Sequence, residues 1–342
     1  MKDNVHFGII GCGGISRFHV NAIQAVEGAQ LYGVYDYDPE RARTVAAQCG
    51  AQAFASLEQL LSEPTIDAVC ICTPSSLHFS QAKQALERQK HVLVEKPLTF
   101  SLVECDELMR LAQSNGLCAG VVSQLRFDSD IEKVKNALQQ NLLGTVTRCD
   151  VSMKYFRSEE YYRLSPWRGT LAGDGGGALM NQGIHGVDLV RYLMGEPHSI
   201  YALSDTLVRH IEVEDTLTAV IHWKNGAHGI LQASVADYPG FERRIEINGE
   251  YGSILLNENK IVRWEVQTQG DHVCQPPSPN QTAGHNDPLR INAQGHIRQL
   301  EDFVQSIRHN CAPAVTLQDG KNALQLILAA YQSARIGSPV LF

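Results

Sequence analysis

The sequence lacks any apolar run approaching the roughly 20 residues that a bilayer-spanning helix needs. Its start, "MKDNVHFGIIGCGGIS", passes from a short apolar stretch directly into glycines, so a secretory h-region is not expected there. No CxxC pair occurs among the nine cysteines, and their number is odd. The spacing for a cysteine-based metal site is therefore missing, and no disulfide framework is implied. Reduced, mostly buried thiols in a cytoplasmic protein are the expectation. A basic excess is lacking too: 29 Lys and Arg stand against 37 Asp and Glu, a formal net charge of −8. A binder of phosphate backbones usually presents a basic face, so nucleic acid is not an expected partner, and neither is a membrane. No internal repeat is visible.

What is present is a regular alternation. Apolar, strand-like runs lie at 5–10, 31–36, 68–72, 91–94 and 117–122. Helical patterns at about 14–26, 39–48, 75–89 and 101–114 separate them. Nearly all-apolar strands alternating with helices predict a parallel sheet covered on both faces. The chain's 342 residues exceed the roughly 250–300 at which single cores stop growing, so two domains are expected. We place them at 1–122 and 123–342. The second part predicts helices at about 129–141, from about 175, at 294–309 and at 319–335. Between them lie strands at 199–208, 216–223, 227–235, 243–250, 252–257 and 260–266. Tight turns at "KNGA", "NGEYG" and "NENK" make this sheet largely antiparallel. The stretch 268–291 has little periodicity and reads as a long loop, of the kind that covers a site or assists assembly.

"GIIGCGGIS" (8–16) sits between the first strand and the first helix. Gly11 and Gly13 match the first two glycines of G-x-G-x-x-G, and Ser16 stands at the third. With Gly14 and Ile15 they form a turn whose backbone can approach a pyrophosphate at a helix N-terminus. The second strand ends in Asp36, an acceptor for ribose hydroxyls that repels a 2′-phosphate. Tyr37 and Asp38 follow in place of a cation, so NAD is favoured over NADP.

Ligands of such sheets bind beyond the carboxyl ends of the strands. Thr73, Pro74 and His78, in "TPSSLH", lie after one strand; Glu95, Lys96 and Pro97 lie after the next. Pro97 restricts Lys96 and admits a cis bond. Taken alone, Lys96 also reads as a solvated lysine.

"GGGALMNQGIHGVDL" (175–189) predicts a helix that starts on glycines. On α-helical spacing, Asn181, His185 and Asp188 share one stripe. A neutral His185 can accept a hydroxyl proton, and cationic Lys96 can stabilise the developing oxyanion. Asn181 can bond a substrate but not act as a base. The glycines would let the helix start lie against a ligand. By itself His185 reads first as a structural histidine. The segment 154–170 adds Lys154, Tyr155, Arg157, Arg163 and Arg168, side chains suited to a sugar carrying negative charge or to ordinary surface packing.

Together, "GCGGIS", "TPSSLH", "EKP", "WRGT" (167–170), "GGGALMNQGIHGVDL" and "GHIRQLEDFVQSI" (295–307) resemble, in order and spacing, the Gfo/Idh/MocA oxidoreductase family. The resemblance implies an α/β protein: an N-terminal Rossmann domain with a doubly wound parallel sheet, then an α+β domain with an open, predominantly antiparallel sheet. It implies an NAD(P)-dependent dehydrogenase acting on CH-OH groups of sugars, cyclitols or nucleotide sugars. It also implies a homodimer or homotetramer formed through the open sheet. The family's EKP lysine maps to Lys96 and its proton-transfer histidine to His185. Trp167 and Arg168 map near cofactor and substrate, and Gln124 near the nicotinamide. Asn181 replaces the Asp of inositol dehydrogenase-like members and so removes an acid–base role there. Two alternatives are a non-catalytic NAD-binding sensor and a redox-neutral, NAD-dependent glycosidase. His272, His285 and His296 have no assigned role; His296 reads as a helix-start residue.

Overall fold

The computed structural model describes residues 4–268, 271–275 and 293–342. His285 and most of the long loop expected at 268–291 lie outside them. The chain divides into two compact units: 1–124 with 292–324, and 125–291 with 325–342. The sequence reading puts the divide at 122/123. The units divide at 124/125, and the late segment 292–324 packs with the first unit.

The first unit is built on six strands: β1 (Val5–Ile10), β2 (Ala29–Tyr35), β3 (Gln52–Ala53), β4 (Ala68–Ile71), β5 (His91–Val94) and β6 (Ala119–Val121). All pair in parallel, in the order β3-β2-β1-β4-β5-β6. This is the doubly wound order of dinucleotide-binding sheets. Only β3 escapes the sequence reading; it has two residues, both exposed. The helices start where local chemistry dictates. Asp38 caps Pro39–Cys49 by accepting the Glu40 N–H, and left-handed Gly50 ends it. Ser56 caps Leu57–Ser62 in the same way. One apolar core joins Phe7 and Ile9 of β1 to Val20 and Ile23 of helix Ser16–Ala25. Leu300, Phe303 and Val304 of helix Ala293–His309 complete it.

The second unit carries a nine-stranded sheet: β7 (Val146–Lys154), β8 (Pro197–Asp205), β9 (Thr216–Trp223), β10 (His228–Ser234), β11 (Arg244–Gly249), β12 (Gly252–Asn257), β13 (Lys260–Thr268), β14 (Asp271–Gln275) and β15 (Val340–Leu341). The order is β14-β13-β12-β11-β7-β10-β9-β8-β15. Only β7 and β10 run parallel; the other described neighbours are antiparallel. The central strand β7 is absent from the sequence reading. Along β9, Leu217, Ala219, Ile221 and Trp223 are buried while Val220 is 54% exposed. That alternation marks a sheet covered on one face. Among the described residues, no helix is long and apolar enough to cross a membrane.

Candidate active site

In the first unit, β1 ends at Ile10 and the helix begins at Ser16. Gly11 has φ +96°, and a Cβ there would lie 2.8 Å from the Cys72 carbonyl. Only glycine fits this corner. Gly13 is exposed, and a Cβ on it would meet nothing within 4 Å. Gly14 is exposed and Ile15 half-buried at the helix N-cap. A bare turn thus leads into a helix N-terminus, where the Ser16 and Phe18 N–H groups bond the Gly13 and Ile15 carbonyls at 3.2 and 3.0 Å and the dipole end favours a phosphate. Asp36 follows β2. Its Oδ2 accepts the Cys12 N–H at 2.7 Å and its Oδ1 the Asp38 N–H at 2.8 Å. Each oxygen keeps a further lone pair for a ribose hydroxyl.

The loops after β4 and β5 are tied together. The Thr73 hydroxyl donates to Gln81 at 2.6 Å. Pro74 precedes a single helical turn, Ser75–Leu77. His78 is buried, with Nδ1 2.7 Å from the Pro97 carbonyl and Nε2 3.0 Å from that of Thr73. Burial pulls its pKa down, against the pull of both carbonyls. The sequence reading set His78 against the cofactor. Both its ring nitrogens face protein carbonyls, so it braces the rim.

Glu95 is held in a comparable way. It is 5% exposed, with Oε1 2.9 Å from His19 Nε2 and Oε2 accepting the Lys96 N–H at 3.2 Å. Burial opposes charge on Glu95, but the His19 bond outweighs it and brings the carboxyl down to about 2. Lys96 is half-buried at the exit of β5, and its bond to Pro97 is cis. Gln124 is buried, and its Oε1 has no hydrogen-bond partner among the described residues.

In the second unit, the stretch 175–194 is not one α-helix. Ala178–Gly183 forms a π-helix, and the α-helix runs Ile184–Met194. A π-helical turn bonds i to i+5, so α-helical spacing fails across the junction; such turns are frequent at functional sites. The expected stripe is divided. The Asn181 amide donates to Asp174 at 2.5 Å and accepts from Gln182 at 3.1 Å. Half-buried His185 opens the α-helix. Asp188 is buried in a forked pair with Arg126, at 2.6 and 2.9 Å.

The glycines, too, have another purpose than approach to a ligand. A Cβ on Gly177 would stand 1.8 Å from the Glu214 carbonyl oxygen, and one on Gly176 would stand 2.5 Å from the Tyr331 hydroxyl. The Glu214 carboxylate accepts the Gly177 N–H, the Leu179 N–H and the Tyr331 hydroxyl, at 2.7, 2.9 and 2.8 Å. This acidic clamp was not visible in the sequence, because Glu214 lies 37 residues from Gly177 and a lone distant carboxylate carries no spacing signal.

The basic segment 154–170 contracts as a source of free charge. Arg157 is buried and donates to the Phe156 carbonyl and to Gln182, each at 2.8 Å. Arg163 pairs with Glu160 at 2.9 Å. Tyr155 is buried, bonds Arg243, and burial raises its pKa to about 12. Arg168 is half-buried, stacks 4.2 Å above Tyr161 and 5.4 Å from half-buried Trp167, and donates to the Tyr161 carbonyl at 3.0 Å.

Two family models cover most of the chain. An NAD-binding Rossmann-fold oxidoreductase domain matches residues 5–123, and the C-terminal alpha/beta domain of the same oxidoreductase family matches 135–342. The WlbA dehydrogenase from Bordetella pertussis, solved with NADH and UDP-GlcNAcA, shares 32% identity over 99% of both chains, with a TM-score of 0.88. A UDP-N-acetylglucosamine 3-dehydrogenase from Acidithiobacillus ferrooxidans is 34% identical over 74% of this chain and 75% of its own. A myo-inositol 2-dehydrogenase from Thermotoga maritima is 26% identical over 96% of each. With the sheet order, the bare glycine turn and both domain models in agreement, the chain belongs to the Gfo/Idh/MocA oxidoreductase family.

Proposed function

We propose that this chain is an NAD-dependent dehydrogenase that transfers a hydride between a secondary alcohol of a sugar-like substrate and nicotinamide, and that its substrate is a nucleotide-linked sugar. One observation carries the choice. The two relatives above 30% identity that are described here bind or act on UDP-sugars, whereas the inositol dehydrogenase stands at 26%.

The first unit fits the cofactor. Gly11 and the open turn at Gly13 and Gly14 would admit the pyrophosphate, and Asp36 would accept the ribose hydroxyls. Thr73, Pro74 and Gln124 would line its path. When bound, the nicotinamide supplies the hydride chemistry. Lys96 holds a positive charge toward the substrate oxygen, and His185 takes or returns the hydroxyl proton. Asn181, held by Asp174, bonds a substrate hydroxyl. Arg168, with Trp167, meets an anionic group of the substrate.

The open sheet face supports a homodimer or homotetramer. It exposes Tyr201, Leu203, Val220 and Ile230 by 40, 60, 54 and 42%. The odd cysteine count fits a reducing, cytoplasmic setting.

A screen with NAD and NADP against UDP-sugars, their uronates, free hexoses and inositols tests this reading. Reduced-nicotinamide absorbance should rise with NAD and a UDP-linked sugar. Binding of NAD without turnover across the panel would overturn the enzyme reading in favour of a sensor.

A further inference from the structure

Three buried side chains of the first unit have no task in the chemistry above. His19 lies on helix Ser16–Ala25, Glu95 at the exit of β5, and His296 on helix Ala293–His309. They are 2, 5 and 4% exposed. One nitrogen or carboxylate oxygen from each lies within 4.8 Å of those of the other two. Among the described residues, no other His, Cys, Asp or Glu set gathers so closely.

His296 is the telling member. Both its ring nitrogens are buried without a hydrogen-bond partner among the described residues. Buried polar atoms are almost always satisfied, and an exception calls for an explanation such as an ion. Packing fixes the ring: it stacks on Phe18 at 5.4 Å and meets the edge of His19 at 5.7 Å. Burial lowers the His296 pKa to about 4, whereas His19 is raised well above 6.5, against burial, by Cys72, Cys70 and Glu95, so an ion would have to displace a proton from His19. His19 and Glu95, at 2.9 Å, already stand close to the donor separation that a shared ion imposes. Donors about 2.0–2.2 Å from one tetrahedral ion lie about 3.3–3.6 Å apart. Closing the set requires the His296 ring to shift within this packing.

The geometry points to a divalent transition-metal site formed by His19, Glu95 and His296. Two imidazoles and one carboxylate are a borderline donor set, suited to Zn²⁺ and poorly suited to Mg²⁺ or Ca²⁺, which prefer oxygen. The buried Cys70 and Cys72 thiols also reach His19 but stand outside this three-residue set. An ion there would join three elements far apart in the sequence. It would also pin the residue next to Lys96 without itself touching the reacting atoms.

This inference does not depend on the proposed substrate, and its test reads metal rather than turnover. The full chain is stripped with chelator, checked for NAD binding, and titrated with Zn²⁺ and with Co²⁺ as a spectroscopic probe. One ion per chain should bind. Co²⁺ should give the intense visible bands of a tetrahedral site, and the melting temperature should rise. His296→Gln should weaken binding by about 100-fold or more, since even outer-shell changes cost about 10–100-fold. Far-UV circular dichroism and NAD binding would show that this variant folds. A control variant, His222→Ala, removes the centre of the surface row His198–His222–His228, whose rings lie 5.1 and 5.3 Å apart. Absence of stoichiometric binding, or binding abolished by His222→Ala but unchanged by His296→Gln, would overturn the proposal.

Discussion

Glu214 grips Gly177 from two directions. Its carboxylate accepts the Gly177 N–H at 2.7 Å, while its own carbonyl oxygen lies 1.8 Å from where a Gly177 Cβ would stand. That oxygen also accepts the Ala178 N–H at 2.9 Å. Neither partner can retreat without breaking a buried bond. Gly177→Ala should therefore destabilise the protein by about 3 kcal/mol or more, the range of severe core strain. Urea unfolding measures this; a loss below about 1 kcal/mol would mean that the clamp yields easily.

Glu214 and its neighbour Asp215 should respond oppositely to pH. Burial raises the Glu214 pKa above 4.5, and its hydrogen bonds only partly counter this. For Asp215, burial is outweighed by the N–H groups of Leu207, Val208 and Arg209 and by Thr216, so its pKa falls below 3.8. The stability owed to Glu214's shift is complete below pH 4.5 and is lost as pH rises through the raised value. That owed to Asp215's shift is present above pH 3.8 and is lost as pH falls through the lowered value. The penalty of Asp215→Asn, about 1–3 kcal/mol at neutral pH, should shrink in acid, whereas that of Glu214→Gln should grow. Denaturation of both variants between pH 3 and pH 7 (roughly the window these shifts span) checks the signs. Parallel trends would refute them.

Lys96→Ala and His185→Ala should each lower turnover by about 10²–10⁴-fold, the usual worth of a positioned acid–base or oxyanion-stabilising group. NAD binding, followed by calorimetry, should persist in both. If His185→Ala keeps near-normal turnover, the proton passes through another group.

Asp36→Ala should weaken NAD by about 10–100-fold, equivalent to about 1.5–3 kcal/mol for hydrogen bonds to a charged acceptor. It should also narrow the preference over NADP, because the charge that repels a 2′-phosphate is gone. Dissociation constants for both dinucleotides decide this. Equal loss for both would show that Asp36 acts only through its bonds to Cys12 and Asp38.

Thiol chemistry should sort by burial. Cys311 is exposed, whereas Cys12, Cys70, Cys72, Cys105 and Cys149 are buried. Burial, reinforced by Asp36, raises Cys12 to about 12. Brief alkylation followed by peptide mass spectrometry should therefore label Cys311 well before Cys12. Fast labelling of Cys12 would show that the glycine turn opens readily.

The parallel sheet was legible because each of its longer strands is a continuous apolar run between helical patterns. The antiparallel hairpins were legible through their turns. Strand β7 was not, since "VTRCDVSMK" mixes charged and apolar side chains and is made a strand by β10 and β11 on either side. The glycine turn and Asp36 were found because their signals are local. Lys96 and His185 were named by motif. The partners of Gly177 and Asp188 in the second unit were not, because Glu214 and Arg126 reach them across 37 and 62 residues. The π-helical turn also escaped: periodicity assumes α-geometry, and nothing in "ALMNQG" departs from it.

Leu300, Phe303 and Val304 enter the first unit's core from a helix that starts at residue 293. A ribosome must therefore make most of the chain before this nucleotide-binding half can close. A fragment ending near residue 124 would lose Leu300, Phe303 and Val304 from the core that holds Val20 and Ile23. The emerging N-terminal half lacks part of its core until its last helix arrives, and the two halves should not be separable by a single cut.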